Sequence, residues 1–238
     1  MMDLPFEQFP ALSAVGICRH AFTQRIPGID VLHDKAEVLK RLDATHREIR
    51  DAIGVGECPL FTAQQVHGNK IAVVDQAGSA LRAGRGRRGA AFLPSREFPG
   101  CDGMITNQRG IMLGIYVADC CAVYIVDPKT LAIGLVHSGR KGTELSVVTN
   151  AIRQMIDRFG SDPANMIVQL SPCIRPPHYE IDFASEIVQQ CRALGIKEIH
   201  DTSVCTACDL DRYYSYRAEK GKTGRMLALI GLNPTAVD

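Results

Sequence analysis

The sequence predicts an α+β protein, a single domain over residues 1–238 with mixed β-sheets flanked by helices. Three observations carry that expectation. Stretches with apolar residues at helical spacing alternate with short β-branched runs, two neighbouring runs are joined by a tight turn, and no internal repeat divides the chain.

The elements follow in order. Asp34–Gly54 reads as a helix with Leu39, Leu42, Ile49 and Ile53 on one face. Asp34 is placed to cap it, with Glu37 three residues on, and Gly54 to stop it. Ile71–Val74, Ile111–Val117, Ala122–Val126 and Leu131–Val136 are strand candidates, and Asp127-Pro128-Lys129-Thr130 is a turn between two antiparallel neighbours. Thr143–Gly160 reads as one continuous helix that buries Leu145, Val148, Ile152, Met155 and Phe159. Met166–Leu170 returns as a strand. Asp182–Gly195 is a third helix, capped by Asp182, with Phe183, Ile187, Cys191 and Leu194 inward. Residues 77–100 stand apart: five Gly and five Arg with little periodicity predict a flexible surface loop. A basic flap for an anionic substrate is the sharper reading of the same loop. No aromatic residues interleave Arg82–Arg88, which speaks against nucleic acid as the partner.

Composition narrows the function classes. The 238 residues carry 27 Lys+Arg against 26 Asp+Glu, a net charge of +1, which argues against a duplex nucleic acid or an anionic membrane as a global partner. No apolar run approaches the ~20 residues that span a bilayer. The first residues are acidic where an export signal is basic, so the expected location is the cytoplasm. Nine cysteines in that setting are expected to be free thiols, buried or chemically employed.

Three segments place soft metal ligands at predicted strand ends: Gln65-Val66-His67-Gly68, Ala118-Asp119-Cys120 and Val136-His137-Ser138-Gly139. Two imidazoles and one thiolate make a tetrahedral-tending set with one position open, the composition of a catalytic zinc site. Their separation along the chain is wide, so no local motif enforces it. After His137 the chain runs Ser138-Gly139-Arg140-Lys141-Gly142 into the predicted long helix. Helix N-termini bind anions, and Arg140 and Lys141 would reinforce that here.

Taken together these residues resemble the YfiH-like laccase-domain proteins, first described as polyphenol oxidases and later as zinc purine nucleoside phosphorylases with adenosine deaminase activity. The resemblance runs from about Arg19 to Leu232. Its motifs occur in order: Gln65 to Gly68; Cys101-Asp102-Gly103 with Thr106-Asn107 and Ala118-Asp119-Cys120; Val136 to Gly139; Pro172 and Pro176 to Tyr179-Glu180; and Tyr214 to Arg217 with Thr223 to Met226. It implies the YfiH-like fold and places the zinc ligands on His67, Cys120 and His137. The implied contacts to phosphate and nucleoside come from Arg25, Gln65, Ser138, Gly139, Arg140, Lys141, Arg217 and Arg225. Asp102 or Asp119 would manage the proton at the purine, or each serves as a turn or ligand-orienting partner, and Cys120 joins them as a catalytic candidate.

The chain departs from the pattern twice. The family's Thr-Arg-x-Gly-Gly reads Thr23-Gln24-Arg25-Ile26-Pro27-Gly28, which keeps an Arg and breaks the glycine pair. The family's Ala-Gly-Trp-Arg-Gly reads Ser138 to Gly142, with Arg140 at the Trp position and Lys141 at the Arg position. Lysine keeps the charge and loses the planar fork that grips phosphate.

The resemblance implies attack of phosphate, or of water, at C1′ of a purine nucleoside beside a bound zinc ion. Phosphate and nucleoside are the expected small-molecule partners. Three other readings compete. Cys120 with His137 as base would make a thiol hydrolase acting on an amide, in line with the family's link to peptidoglycan editing. A diverged binding protein would use the Arg-rich loop. A copper polyphenol oxidase fits least, because laccase-type clusters draw on many more His than the seven present. Elsewhere, Cys205-Thr206-Ala207-Cys208 is a C-x-x-C without a second pair, so Cys208 reads as incidental and Cys205 as pocket or core. His178 reads as pocket or surface, Cys18, Cys58, Cys121, Cys173 and Cys191 as packing, and His20, His33, His46 and His200 as surface or satisfied. Nothing in the sequence sets an oligomeric state.

Overall fold

A computed structural model describes residues 4–75 and 96–233. The loop reading for residues 77–100 therefore falls largely outside the described residues. Twelve strands are described: β1 (Phe6–Glu7), β2 (Cys18–Thr23), β3 (Leu60–Ala63), β4 (Ile71–Val73), β5 (Glu97–Phe98), β6 (Gly103–Thr106), β7 (Met112–Val117), β8 (Cys121–Asp127), β9 (Ala132–Ser138), β10 (Ile167–Leu170), β11 (Glu198–Asp201) and β12 (Met226–Leu232). The helices are α1 (Pro10–Val15), α2 (Lys35–Ala52), α3 (Arg140–Glu144), α4 (Val147–Phe159) and α5 (Phe183–Ala193). The strands form two six-stranded mixed sheets, ordered β1-β2-β12-β7-β3-β5 and β11-β10-β8-β9-β6-β4. The predicted α+β class, mixed sheets flanked by helices, is the observed one.

Alternation along the strands builds four layers. In β8, Ala122, Tyr124 and Val126 join Phe22, Leu113, Ile115 and Ile230 in a core between the sheets. Cys121, Val123 and Ile125 face the other way, onto Val148, Ile152 and Met155 of α4 and Ile187 and Cys191 of α5. On the far side, Ala21, Met112, Leu227 and Leu229 of the first sheet meet Ile49 of α2. Strands buried on both faces read as unbroken apolar runs, which is why the central strands were visible in the sequence.

The cap of α2 is as expected: Asp34 accepts from the backbone N–H of Ala36 and Glu37. Its buried face is Val38, Leu42, His46 and Ile49, so Val38 takes the place expected for Leu39. The Asp127–Thr130 turn joins β8 to β9 antiparallel, Asp127 accepting from Lys129 N–H at 2.9 Å. The continuous helix expected over Thr143–Gly160 is corrected. The chain turns at Ser146, whose φ is 55°, and divides into the short α3 and the longer α4. Leu145 is 43% exposed instead of buried. The break lets α3 lie on α5, where Gln190 Nε2 donates to the Thr143 carbonyl at 3.0 Å. The helix that begins in the Ser138–Gly142 segment is therefore the five-residue α3 and not the long α4.

Two of the remaining histidines are buried. The Phe9 N–H donates to His20 Nε2 at 2.7 Å, and His46 Nε2 finds no hydrogen-bond partner among the described residues. Burial pulls both down to about 4. The unfolded chain takes up these protons near 6.5 and the folded chain only near 4, so stability falls as pH drops through that window. Each histidine is expected to remove about 2 kcal/mol between pH 7 and pH 5. Urea midpoints at the two pH values should show a smaller acid loss for His46→Leu than for the wild type, and equal losses would contradict this.

A candidate metal centre at one edge of the second sheet

Four neighbouring strands bring the predicted residues together. Register pairs Ala122 with His137 and Cys121 with Ser138, so Cys120, one residue ahead of β8, lies opposite Gly139 just past β9. Gly103 pairs with Val136 on one side and Ile71 on the other, which puts Asp102 beside His137 and residues 66–68 just ahead of β4. His137 lies on the same face of β9 as Ile133 and Leu135, looking between the sheets.

The buried carboxylate of Asp102 organises the edge. It is fully buried, and it accepts from the backbone N–H groups of Val66 at 3.2 Å, His67 at 2.7 Å and Gly68 at 2.7 Å. Successive N–H groups make an anion-binding concavity. Gln65 and His67 have positive φ of 64° and 58°, which bends the chain around that carboxylate. Asp102 also accepts from His137 Nδ1 at 3.0 Å, which fixes the tautomer and leaves Nε2 for the cleft. Burial opposes a charge on Asp102, but His137 and the Gly68 and His67 N–H groups outweigh it and hold the acid below its usual range.

His67, Cys120 and His137 converge: one donor atom from each lies within 4.8 Å of the others. His67 Nε2 is 3.9 Å from Cys120 Sγ, and the two imidazoles meet edge to face with centroids 4.8 Å apart. Burial works against a thiolate at Cys120, yet His137 and His67 beside it overcome this and bring the thiol down to about 6. The same pairing lifts His137 to about 9 against its own burial. A Cβ on Gly139 would stand 2.5 Å from Cys120 Sγ, so the position needs glycine for close approach and not for its φ. Two imidazole nitrogens and one thiolate at this spacing, with the fourth side open to a cleft, fit a zinc ion.

The cleft has a volume of about 460 Å³. His67, Cys120, His137, Gly139 and Asp119 form its floor, Tyr179, Phe183 and Tyr216 give it aromatic walls, and Lys35, Arg140, Arg217 and Arg225 bring positive charge. Asp119, φ 79°, accepts from the Thr206 hydroxyl at 2.8 Å and from the Arg217 N–H at 2.6 Å. Gln65 lines the cleft while its amide is paired with both backbone groups of Tyr116, at 2.6 and 2.9 Å. Arg217 lies over the Tyr179 ring and bonds Glu180 at 3.2 Å, and Arg225 lies over Tyr216.

Three expected contacts lie elsewhere. Arg25 is outside the lining, held by Glu219 at 2.9 Å and stacked over Tyr214. Ser138 is buried behind the floor, its hydroxyl on that of Thr143 at 2.9 Å. Lys141 is exposed on α3 and does not line the cleft. Lys35 was missed in the sequence, since as the first residue of α2 it carried no signal beyond its neighbour's cap. The walls at Tyr179, Phe183 and Tyr216 were visible only as parts of motifs or of an apolar stripe.

Residues 16–188 and 177–233 match the family described as "Multi-copper polyphenol oxidoreductase laccase", and the chain belongs to that family. Among curated relatives, it is 25% identical to "Purine nucleoside phosphorylase YlmD" of Bacillus subtilis (strain 168), over 91% of this chain and 85% of that protein. It is 26% identical to "Purine nucleoside phosphorylase SCO2081" of Streptomyces coelicolor, over 76% of this chain and 78% of that one. Its fold matches the crystal structures of YfiH from Bacillus licheniformis, with TM-score 0.77, 22% identity and 98% of each chain covered, and of YlmD from Geobacillus stearothermophilus, with TM-score 0.74, 22% identity and 96% and 98% covered. No helix among the described residues is long and apolar enough to cross a membrane.

Replacing Asp102 tests the arrangement. Asp102→Asn keeps the volume and removes the charge that orients His137, and is expected to weaken the affinity for added zinc about 10–100-fold. Competition against a chromophoric chelator measures this; unchanged affinity would contradict the role.

Proposed function

We propose that the chain is a zinc-dependent purine nucleoside phosphorylase, converting a purine nucleoside and phosphate to the free base and ribose 1-phosphate. The observation that carries this reading is one cleft with three convergent soft ligands in its floor, aromatic walls and four cations at its rim. The names of the curated relatives support it.

Zinc held by His67, Cys120 and His137 would supply a positive centre that binds and orients phosphate. The chain's own residues do the rest. Arg140, Arg217, Arg225 and Lys35 gather the dianion and balance its charge. Tyr179 and Tyr216 offer planar faces for the purine. Asp102, fully buried and saturated by its donors, positions His137. Asp119 is the carboxylate that lines the cleft, and it holds the Thr206 hydroxyl and the Arg217 backbone in place there. A phosphate oxygen bonds C1′ as the bond from C1′ to the purine nitrogen breaks, and that nitrogen keeps the electron pair and takes a proton from water in the open cleft.

Zinc is favoured over copper by the donors. His20 and His46 are buried away from the cleft, His33 and His200 pair with exposed acids, and His178 faces Cys205 and Cys208 outside the lining, so two imidazoles serve this centre. No methionine lines the cleft among the described residues, so the axial sulfur of a blue-copper site is missing. A second reading, amide hydrolysis by Cys120 with His137 as base, is favoured by the convergence of the two groups, whose donor atoms lie within 4.8 Å, and requires a metal-free protein.

Incubation with inosine, with and without phosphate, followed by chromatography is the test. Hypoxanthine is expected only with phosphate, and His67→Ala should lower its release at least 100-fold. Phosphate-independent release, or full activity in His67→Ala, would overturn the reading. Adenosine run in parallel reports deamination as inosine, and stoichiometric zinc in the active protein excludes the thiol nucleophile.

A further inference from the structure

A second cluster of metal-type ligands lies outside the cleft lining. The C-x-x-C of Cys205 and Cys208 lacks a second cysteine pair, but the fold supplies a histidine instead. His178 Nδ1 faces both sulfurs, 3.7 Å from Cys205 Sγ and 3.4 Å from Cys208 Sγ. The three donor atoms lie within 4.8 Å of one another.

The backbone fixes this meeting. Cys173 and Cys205 form an isolated bridge, with the Cys173 N–H donating to Val204 and the Thr206 N–H donating to Cys173, both at 3.2 Å. That stitch brings the segment carrying His178 against the segment carrying the cysteines. The Cys208 N–H closes a turn onto the Cys205 carbonyl at 3.2 Å, and such a turn presents both thiols on one side. A tetrahedral ion with Zn–S of about 2.3 Å and Zn–N of about 2.0–2.1 Å sets its S···N edges at roughly 3.6 Å. The two observed S···N separations straddle that value. The Cys205 thiol also reaches the Arg175 carbonyl at 3.9 Å, so the three donors can rest without an ion and are already gathered for one.

We propose that His178, Cys205 and Cys208 form a second metal site, for a thiophilic divalent cation of the zinc type. Cys205 is largely buried while His178 and Cys208 are exposed, so the fourth position faces solvent and the ion exchanges. The site adjoins the cleft wall at two points. Thr206 follows Cys205 and holds Asp119, and Tyr179 follows His178 and lines the cleft.

The test uses the full chain, purified with reductant, stripped by a chelator and titrated with zinc against a chromophoric competitor. Two equivalents are expected in the wild type. Cys208→Ser and His178→Ala, both at exposed positions, should each weaken one equivalent at least 10-fold and leave the other intact. His67→Ala should remove the complementary one. Cobalt added to His67→Ala should give a thiolate-to-metal absorption that Cys208→Ser in the same background diminishes. A wild type that binds one equivalent, lost in His67→Ala and unchanged in Cys208→Ser, would overturn the proposal. So would a second equivalent that survives the Cys208→Ser, His178→Ala double variant, or a Cys205–Cys208 disulfide in the reduced preparation with no second ion. Phosphorolysis is read separately, so its absence leaves this outcome intact.

Discussion

The candidate site depends on one buried carboxylate. Asp102 accepts three backbone N–H groups from the segment that carries His67 and one ring N–H from His137, so a single side chain aims two of the three converging ligands. A buried charge is costly unless it is paired and fully hydrogen-bonded, and removing one member of such a set typically costs about 3–5 kcal/mol. The four donors around Asp102 meet that condition. The same contacts hold two strand ends together, so the charge that prepares the metal centre also fixes the edge of the sheet.

Packing supplies the other constraint. The second sheet is buried on both faces, by the first sheet and by α4 and α5, which leaves its strand ends as the place where polar groups can gather. Cys120 and Gly139 approach closely there because the β8–β9 hairpin puts them opposite each other, and any side chain at Gly139 would displace the thiol. Around this floor the cations and the three wall aromatics come from four separate stretches: the start of α2, the start of α3, the start of α5 with the residues just before it, and the loop before β12. The positive charge at the cleft is carried by side chains, while the long helix begins only at Val147.

Much of this was legible in the sequence, for physical reasons. Strands such as β8, covered on both faces, leave continuous apolar runs, and α2 and α5 announce their caps at Asp34 and Asp182. The break at Ser146 was hidden, because Leu145 and Val148 fit one helical stripe although Leu145 is exposed. Asp102 was visible as a residue and not as a hub, since three of its partners are backbone groups that carry no sequence identity. Lys35 carried no sign of the cleft it lines, and His178, readable as pocket or surface, gave no sign of Cys205 and Cys208, which lie about 30 residues further along the chain. Arg140, standing where the family resemblance places a tryptophan, does line the cleft, whereas its neighbour Lys141 does not.

Asp102 orients two of the proposed ligands and is not itself one of them. Anomalous diffraction at the zinc absorption edge, on crystals of the zinc-loaded chain, distinguishes the two roles. A peak is expected within bonding distance of His67 Nε2, Cys120 Sγ and His137 Nε2, with Asp102 still on His137 Nδ1 and on the N–H groups of residues 66–68. A peak bonded to the Asp102 carboxylate, or no peak among those three donors, would contradict it.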